Sequence, residues 1–390
     1  MESAFWTGRG PPSNSVITGI SSVVMETHPD LTGYAHALGR AQAAWRFATP
    51  ALRRAAALAT ISAAWDVFRR DAGAGAVGPA HETTAAAAQL LFSDDPRRDA
   101  VLLWLADHAA PELAEAAATL AGMVGATRRF GADEHALLDA ARDALAAPDT
   151  ASGPIARRIP RGAGPGDPVV EPLQILARAV DRLRGDAGFV ERSGDAVQLP
   201  LPGGTLSHYV PADPAGCWAL NLALLGRGAQ PAGTFSPPGL VSRALFRRDL
   251  EPDEIAVQLT EGARLAWSGA YHRLLGLEPE LDRGREALAH LSRNARTRDA
   301  WLLVAALTAC TRTHIARALG LSRAGADIQA NALADAGLAT LGAGGRITWA
   351  PARTIDTVPA PLDQGPLADA VSDLDARLAE IDRLLARTAR

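Results

Sequence analysis

The chain has 390 residues, too many for one ordinary hydrophobic core, so two or three structural units are expected. Hydrophobic residues make up 48% and charged residues 21%, a globular profile. All 39 basic side chains are Arg and the net charge is −4, which excludes a uniformly basic nucleic-acid coat and confines any phosphate contact to a local surface. The lack of Lys beside abundant Ala, Arg, Gly and Pro follows from a GC-rich coding sequence, not from selection for phosphate contacts. Cys217 and Cys310 form no metal spacing and no disulfide framework, and their apolar neighbours make them buried thiols. The opening MESAFWTGRGPPSNS lacks a basic stretch followed by an apolar core, and no apolar run approaches the ~20 residues that span a bilayer. A cytoplasmic location without membrane contact is expected.

Residues 1–47 carry no assignable pattern. Thr49 followed by Pro50 starts a helix, a capping hydroxyl before a proline at the first helical position. Leu58, Ile61, Trp65 and Phe68 then recur at steps of three and four as one apolar stripe, and the Gly-rich DAGAGAVG ends the helix. Further helices open at Asp95-Pro96, at Pro111 (with Leu113, Ala117, Leu120 and Val124 on one face and Gly125 as a stop) and in GADEHALLDAARDALAAP. Residues 1–147 thus read as a helical N-terminal domain. Residues 148–168 are dense in Pro and Gly and read as a linker carrying Arg157, Arg158 and Arg161. Residues 169–292 read as a mostly helical middle domain. EPLQILARAVDRLRG is a short amphipathic helix, FVERSGDAVQLPLPGG holds one or two strands around a Ser-Gly-Asp turn, and a helix runs from Leu250-Glu-Pro-Asp-Glu through IAVQLTEGARLAWSGAYHRLLG. Asp253 and Glu254 suit the positive end of its dipole.

Residues 293–355 carry most of the functional information. Trp301, Leu302, Val304, Ala305 and Leu307 belong to a first helix, and Thr311 caps a second in which Ile315, Ala316 and Leu319 face inward. Gly320 permits a left-handed turn, Leu321 plugs the corner, and Ser322 caps a third helix with Ala326, Ala330 and Leu333 inward. Gly337-Leu338 closes it, and ATL, a GAGG turn and RITW read as a two-stranded hairpin.

The stretch IARALGLSRAGADIQANALADAGL resembles the second helix, turn and recognition helix of the winged helix-turn-helix in bacterial regulators of the MarR family. Ala316, Gly320, Leu321, Ser322, Leu333, Gly337 and Leu338 fall on the expected residue types, and GAGGRITW falls at the wing. Gln329 stands where that family often has an apolar residue, and Ile328 where it often has a polar one. The resemblance covers about 50 residues and implies binding of double-stranded DNA, with the third helix in the major groove. On it, Ser322 and Arg323 open the reading helix, Asp327 and Asn331 follow on the same side, Thr311, Arg312 and Thr313 meet the backbone, and Arg346 reaches the minor groove or its phosphates. Between residues 293 and 353 eight Arg face three Asp, so the segment is about +5 inside a chain of −4.

Residues 361–390 form a last amphipathic helix. Leu367, Val371, Leu374, Leu378, Ile381 and Leu385 repeat at 4, 3, 4, 3 and 4, a heptad seam suited to a homodimer whose paired readers match two half-sites. No phosphate loop of Walker type, dinucleotide fingerprint, nucleophile elbow or metal-binding His spacing is present, so no catalytic residue, cofactor or metal is assigned. His28 and His208 stand isolated. The expectation is a mainly α, multi-domain DNA-binding regulator with an unidentified effector. The rivals are a winged-helix adaptor for protein partners, a plasmid-type replication or partition factor, and an enzyme housed in residues 1–290.

Overall fold

Alanine sets the packing of the helical body. The computed structural model describes residues 29–73, 90–148, 153–160, 167, 169–191, 195–201, 204–210, 216–227, 235–292, 295–351 and 377, and it is mainly α-helical. Helix α1 (Leu31–Phe47) starts at Asp30, whose carboxylate accepts from the Gly33 amide at 2.9 Å. It buries Tyr34, Leu38, Ala41 and Trp45. Helix α2 (Pro50–Asp71) begins at Thr49, whose hydroxyl accepts from the Leu52 amide at 3.2 Å, with Pro50 in the first turn as expected. Its stripe of Leu58, Ile61, Trp65 and Phe68 is buried, and so are Ala55, Ala56, Ala57 and Ala64 on its other sides. Methyl-sized side chains on several faces let other helices close around α2, which makes it the central rod.

Helices α3 (Arg97–His108), α4 (Pro111–Val124) and α5 (Ala132–Ala146) follow, and α4 stops at Gly125 in the left-handed region (φ 70°). Residues 153–160, inside the stretch read as a linker, bury Ile155, Ala156 and Ile159. They are tied to helix α6 (Val170–Leu183), where the Asp181 carboxylate accepts from the Ile155 and Ala156 amides at 3.0 Å each. Strands β1 (Asp195–Leu201) and β2 (Gly204–Val210) pair antiparallel with Leu201 opposite Gly204. The hairpin therefore turns between residues 201 and 204, not at the Ser-Gly-Asp favoured by the sequence. Helix α7 (Cys217–Gly226) is buried almost throughout.

Helix α8 (Pro252–Ala287) is the longest, 36 residues, or about 54 Å at the usual rise per residue. It continues eleven residues beyond the expected LLG end and carries Pro279 within it. Its first part lies along α1, and its last part holds the C-terminal unit. That unit consists of α9 (Thr297–Leu307), β3 (Ala309–Thr311), α10 (Arg312–Leu319), α11 (Arg323–Asp335), β4 (Ala339–Leu341) and β5 (Arg346–Trp349). The strands form an antiparallel sheet of order β3-β5-β4. Thr308, at φ 60°, makes the corner between α9 and β3.

Glu280 of α8 anchors the unit. Its backbone carbonyl accepts from Trp301 Nε1 at 3.0 Å and its carboxylate from Trp349 Nε1 at 2.9 Å. Arg283 pairs with the same carboxylate at 2.8 Å, donates to the Ala350 carbonyl at 2.6 Å, and lies over the Trp301 ring. Gly284 faces the Trp301 indole so closely that a methyl group there would collide with it. One cluster of buried side chains extends from Tyr34 to Ile347 and includes both body and unit. Among the described residues no helix is long and apolar enough to cross a membrane. The seam from Leu367 to Leu385, His28 and Arg161 lie outside the described residues.

Candidate nucleic-acid interface

Local caps set the position of α10 and α11. Thr311 caps α10, its hydroxyl accepting from the His314 amide at 3.1 Å. The Thr311 amide in turn donates to His314 Nδ1 at 3.3 Å, which closes a reciprocal box. His314 is held neutral. Burial, with Arg317 and Arg98 nearby, pushes its pKa down to about 4. Gly320 takes φ 62° and the Leu321 amide returns to the Ala316 carbonyl at 2.8 Å, the hydrogen bond that ends a helix at a left-handed residue. Ser322 then caps α11, accepting from the Gly325 amide at 3.1 Å. Ala326, Ala330 and Leu333 of α11 are fully buried, as the spacing predicts, and Gly337 closes the helix at φ 68°.

The opposite side of α11 faces solvent. Arg323, Ala324, Ile328, Asn331 and Asp335 are exposed, and Ile328 reaches 65%. The steps from Ala324 through Ile328 and Asn331 to Asp335 are four, three and four, so these residues share one face. Gln329 sits to the side, where its carbonyl oxygen accepts from the buried Thr297 hydroxyl at 2.6 Å. A polar residue at this position is therefore used to tie α11 to α9. Thr313 is exposed at the start of α10, while Thr311 and Ser322 spend their hydroxyls on caps.

The unit's Arg excess is mostly engaged within the protein. Arg296 pairs with Asp299 at 3.0 Å, and Arg298 donates to the Leu288 and Leu291 carbonyls. Arg317 donates to the Met123 carbonyl at the end of α4. Arg312 Nε lies 3.2 Å from the Asp327 carboxylate, a distance that gives charge attraction without hydrogen-bond geometry. Two residues expected to contact DNA, Arg312 at the backbone and Asp327 on the reading helix, thus pair with one another. Arg346 is exposed just after the turn of the β4–β5 hairpin, with its guanidinium over the Phe92 ring at 4.7 Å. Phe92 also lies against His314. Arg323 has no hydrogen-bond, ion-pair or ring partner among the described residues. It is an exposed cation at the N-terminal end of α11.

Comparison with family models, with curated proteins and with solved structures returns no match.

Asp71, Cys217 and Cys310 are sealed from solvent. Among the described residues no cluster of three or more His, Cys, Asp or Glu side chains is placed to hold a metal ion. Asp71, at the end of α2, is buried and accepts from Asn221 Nδ2 at 2.9 Å. Burial pushes its pKa up to about 6, against the lowering effect of that hydrogen bond. Cys217 beside it is fully buried, and burial together with the Asp71 charge raises its pKa well above the usual thiol range. Burial pushes the Cys310 thiol up to about 12. Thiols held protonated and out of reach of solvent are poor nucleophiles.

Sequence reasoning missed three contributors. Ile328 is the centre of the exposed face, although its identity was visible as a departure from the MarR pattern. Phe92 and Glu280 act over long separations and leave no local pattern.

Proposed function

We propose that residues 297–349 form a winged helix-turn-helix and that the chain is a DNA-binding regulator of bacterial type, reading duplex DNA with α11. The observation that carries this reading is the solvent-facing side of α11, with Arg323 at its first residue and Asn331 two turns on, next to a sheet of order β3-β5-β4. A helix of 13 residues, about 20 Å long, fits along a major groove about 12 Å wide with its N-terminal turn against the bases. Arg323 suits guanine O6 and N7 or a phosphate, Asn331 suits adenine, and Ile328 suits the methyl group of thymine. The β4–β5 hairpin with Arg346 is the wing. The heptad seam of residues 367–385 pairs two copies so that two half-sites are read together, and the protein acts in the cytoplasm.

A second reading is a winged-helix adaptor that presents α11 to a protein. It is favoured by the exposure of Ile328 and by the engagement of Arg296, Arg298, Arg312 and Arg317 within the molecule. Selection of bound duplexes from a random DNA pool separates the two. The DNA reading expects one motif to be enriched, and Arg323→Ala to weaken binding to it by about 1–3 kcal/mol. No enrichment from the pool supports the adaptor. An enriched motif bound with full affinity by both Arg323→Ala and Arg346→Ala shows that another face makes the contact.

A further inference from the structure

A cleft of about 290 Å³ lies between α1 and the middle of α8, where Arg264, Ser268 and Tyr271 face α1. Its polar lining consists of Thr32, His36, Arg40, Arg264, Ser268 and Tyr271. Every one of these side chains can donate a hydrogen bond, and none is a carboxylate.

Arg40 dominates the electrostatics. Its guanidinium lies 4.5 Å from the centre of the Tyr271 ring, and its Nη2 donates to the Tyr271 hydroxyl at 3.1 Å. Nε is buried without a hydrogen-bond partner, and among the described residues no carboxylate stands within ion-pair distance of Arg40. A guanidinium oriented on one side by an aromatic ring and carrying no counter-charge is a preformed anion contact. The second cation, Arg264, is held in place by Glu261, whose carboxylate accepts at 2.6 and 2.7 Å. Gly33 is part of the same construction. A Cβ there would stand 3.1 Å from Arg264 Cδ and collide with the Asp30 carboxylate, so glycine lets the Arg264 stem lie against α1.

We propose that this cleft binds a small organic anion through its oxyanion group, a carboxylate or a phosphate. Arg40 and Arg264 supply charge-assisted hydrogen bonds, and the Ser268 and Tyr271 hydroxyls complete the donor set. Arg264, Ser268 and Tyr271 all sit on α8, the helix whose Glu280 and Arg283 anchor the C-terminal unit. Binding itself does not depend on the DNA reading.

Isothermal titration of the full chain with sodium phosphate and with sodium malonate, at ionic strength held constant with sodium chloride, tests it. The expected result is saturable one-to-one binding of at least one probe, and the probe that binds identifies the oxyanion class. Arg40→Gln is expected to weaken it roughly tenfold or more, and Ser268→Ala by a smaller factor. If circular dichroism shows that Arg40→Gln does not fold, Arg264→Gln takes its place with the same expectation. The proposal is overturned if neither probe saturates the wild-type protein. Equal affinity in a folded Arg40→Gln or Arg264→Gln variant overturns it as well.

Discussion

Helices α9 and α11 belong to the same C-terminal unit and meet opposite surroundings. In α9 nine of eleven residues are buried, among them Trp301, Leu303, Val304 and Leu307. In α11 three of thirteen are, namely Ala326, Ala330 and Leu333. The first helix is inserted between α2 and α8 and behaves as part of the body's core. The second touches the unit with one narrow face and leaves the other to solvent. The contrast is between a core helix and an amphipathic surface helix, an anchoring side and a solvent-facing side, and variants on the two sides have different consequences.

The largest effect is expected from Gly284→Ala. The added methyl collides with the Trp301 indole, so α8 and α9 must separate. Overpacking at such a contact costs about 3 kcal/mol, measurable as a lower urea midpoint with an unchanged slope. Trp349→Phe removes the donor to the Glu280 carboxylate while keeping a ring. A loss of about 1.5 kcal/mol is expected, the worth of a hydrogen bond to a charged group. No loss would mean that Arg283 alone holds Glu280.

His314 gives a third, pH-dependent test. Its folded pKa of about 4 lies below the usual 6.5, so the unfolded chain takes up a proton first as pH falls. The stability it contributes is present above pH 6.5 and is lost as pH drops toward 4. For a partly exposed group, screening limits the effect to about 1 kcal/mol. A His314→Gln variant is expected to show a smaller decline over this window in parallel urea titrations. An identical decline would show that other groups carry the acid sensitivity. The smallest change is expected on the solvent-facing side. Ile328→Ser and Asn331→Ala should shift stability by less than about 0.5 kcal/mol. A substantial loss from Ile328→Ser would reveal packing that its 65% exposure contradicts.

Much of this division is legible in the residues. Ser322, Gly320 and Gly337 mark the limits of α11 through capping and positive φ, and those rules act within a few residues. The buried Ala326, Ala330 and Leu333 follow from helical period alone. The ATL and RITW segments become β4 and β5 as the turn chemistry indicates. By contrast β3 has three residues and exists because it pairs with β5 more than thirty residues away, so no local periodicity announces it. Helix α1 shows Tyr34, Leu38, Ala41 and Trp45 at helical steps, a signal diluted by Gly and short polar residues. The extension of α8 past Pro279 is sustained by Glu280, Arg283 and Gly284 gripping the unit, contacts that no window of sequence contains. The local charge of about +5 was readable, whereas its use inside the molecule by Arg298, Arg312 and Arg317 was not.

Fluorescence anisotropy of the full chain on its selected duplex, titrated over a range of salt concentrations, tests the presenting role of α11 most directly. The expected wild-type result is affinity that falls linearly with the logarithm of salt, from counter-ion release. Arg323→Ala should bind more weakly, with a slope shallower by about one unit if its contact is to phosphate, or an unchanged slope and relaxed base preference if it is to guanine. Binding by Arg323→Ala that matches the wild type in affinity, slope and base preference would contradict the assignment of this face to DNA.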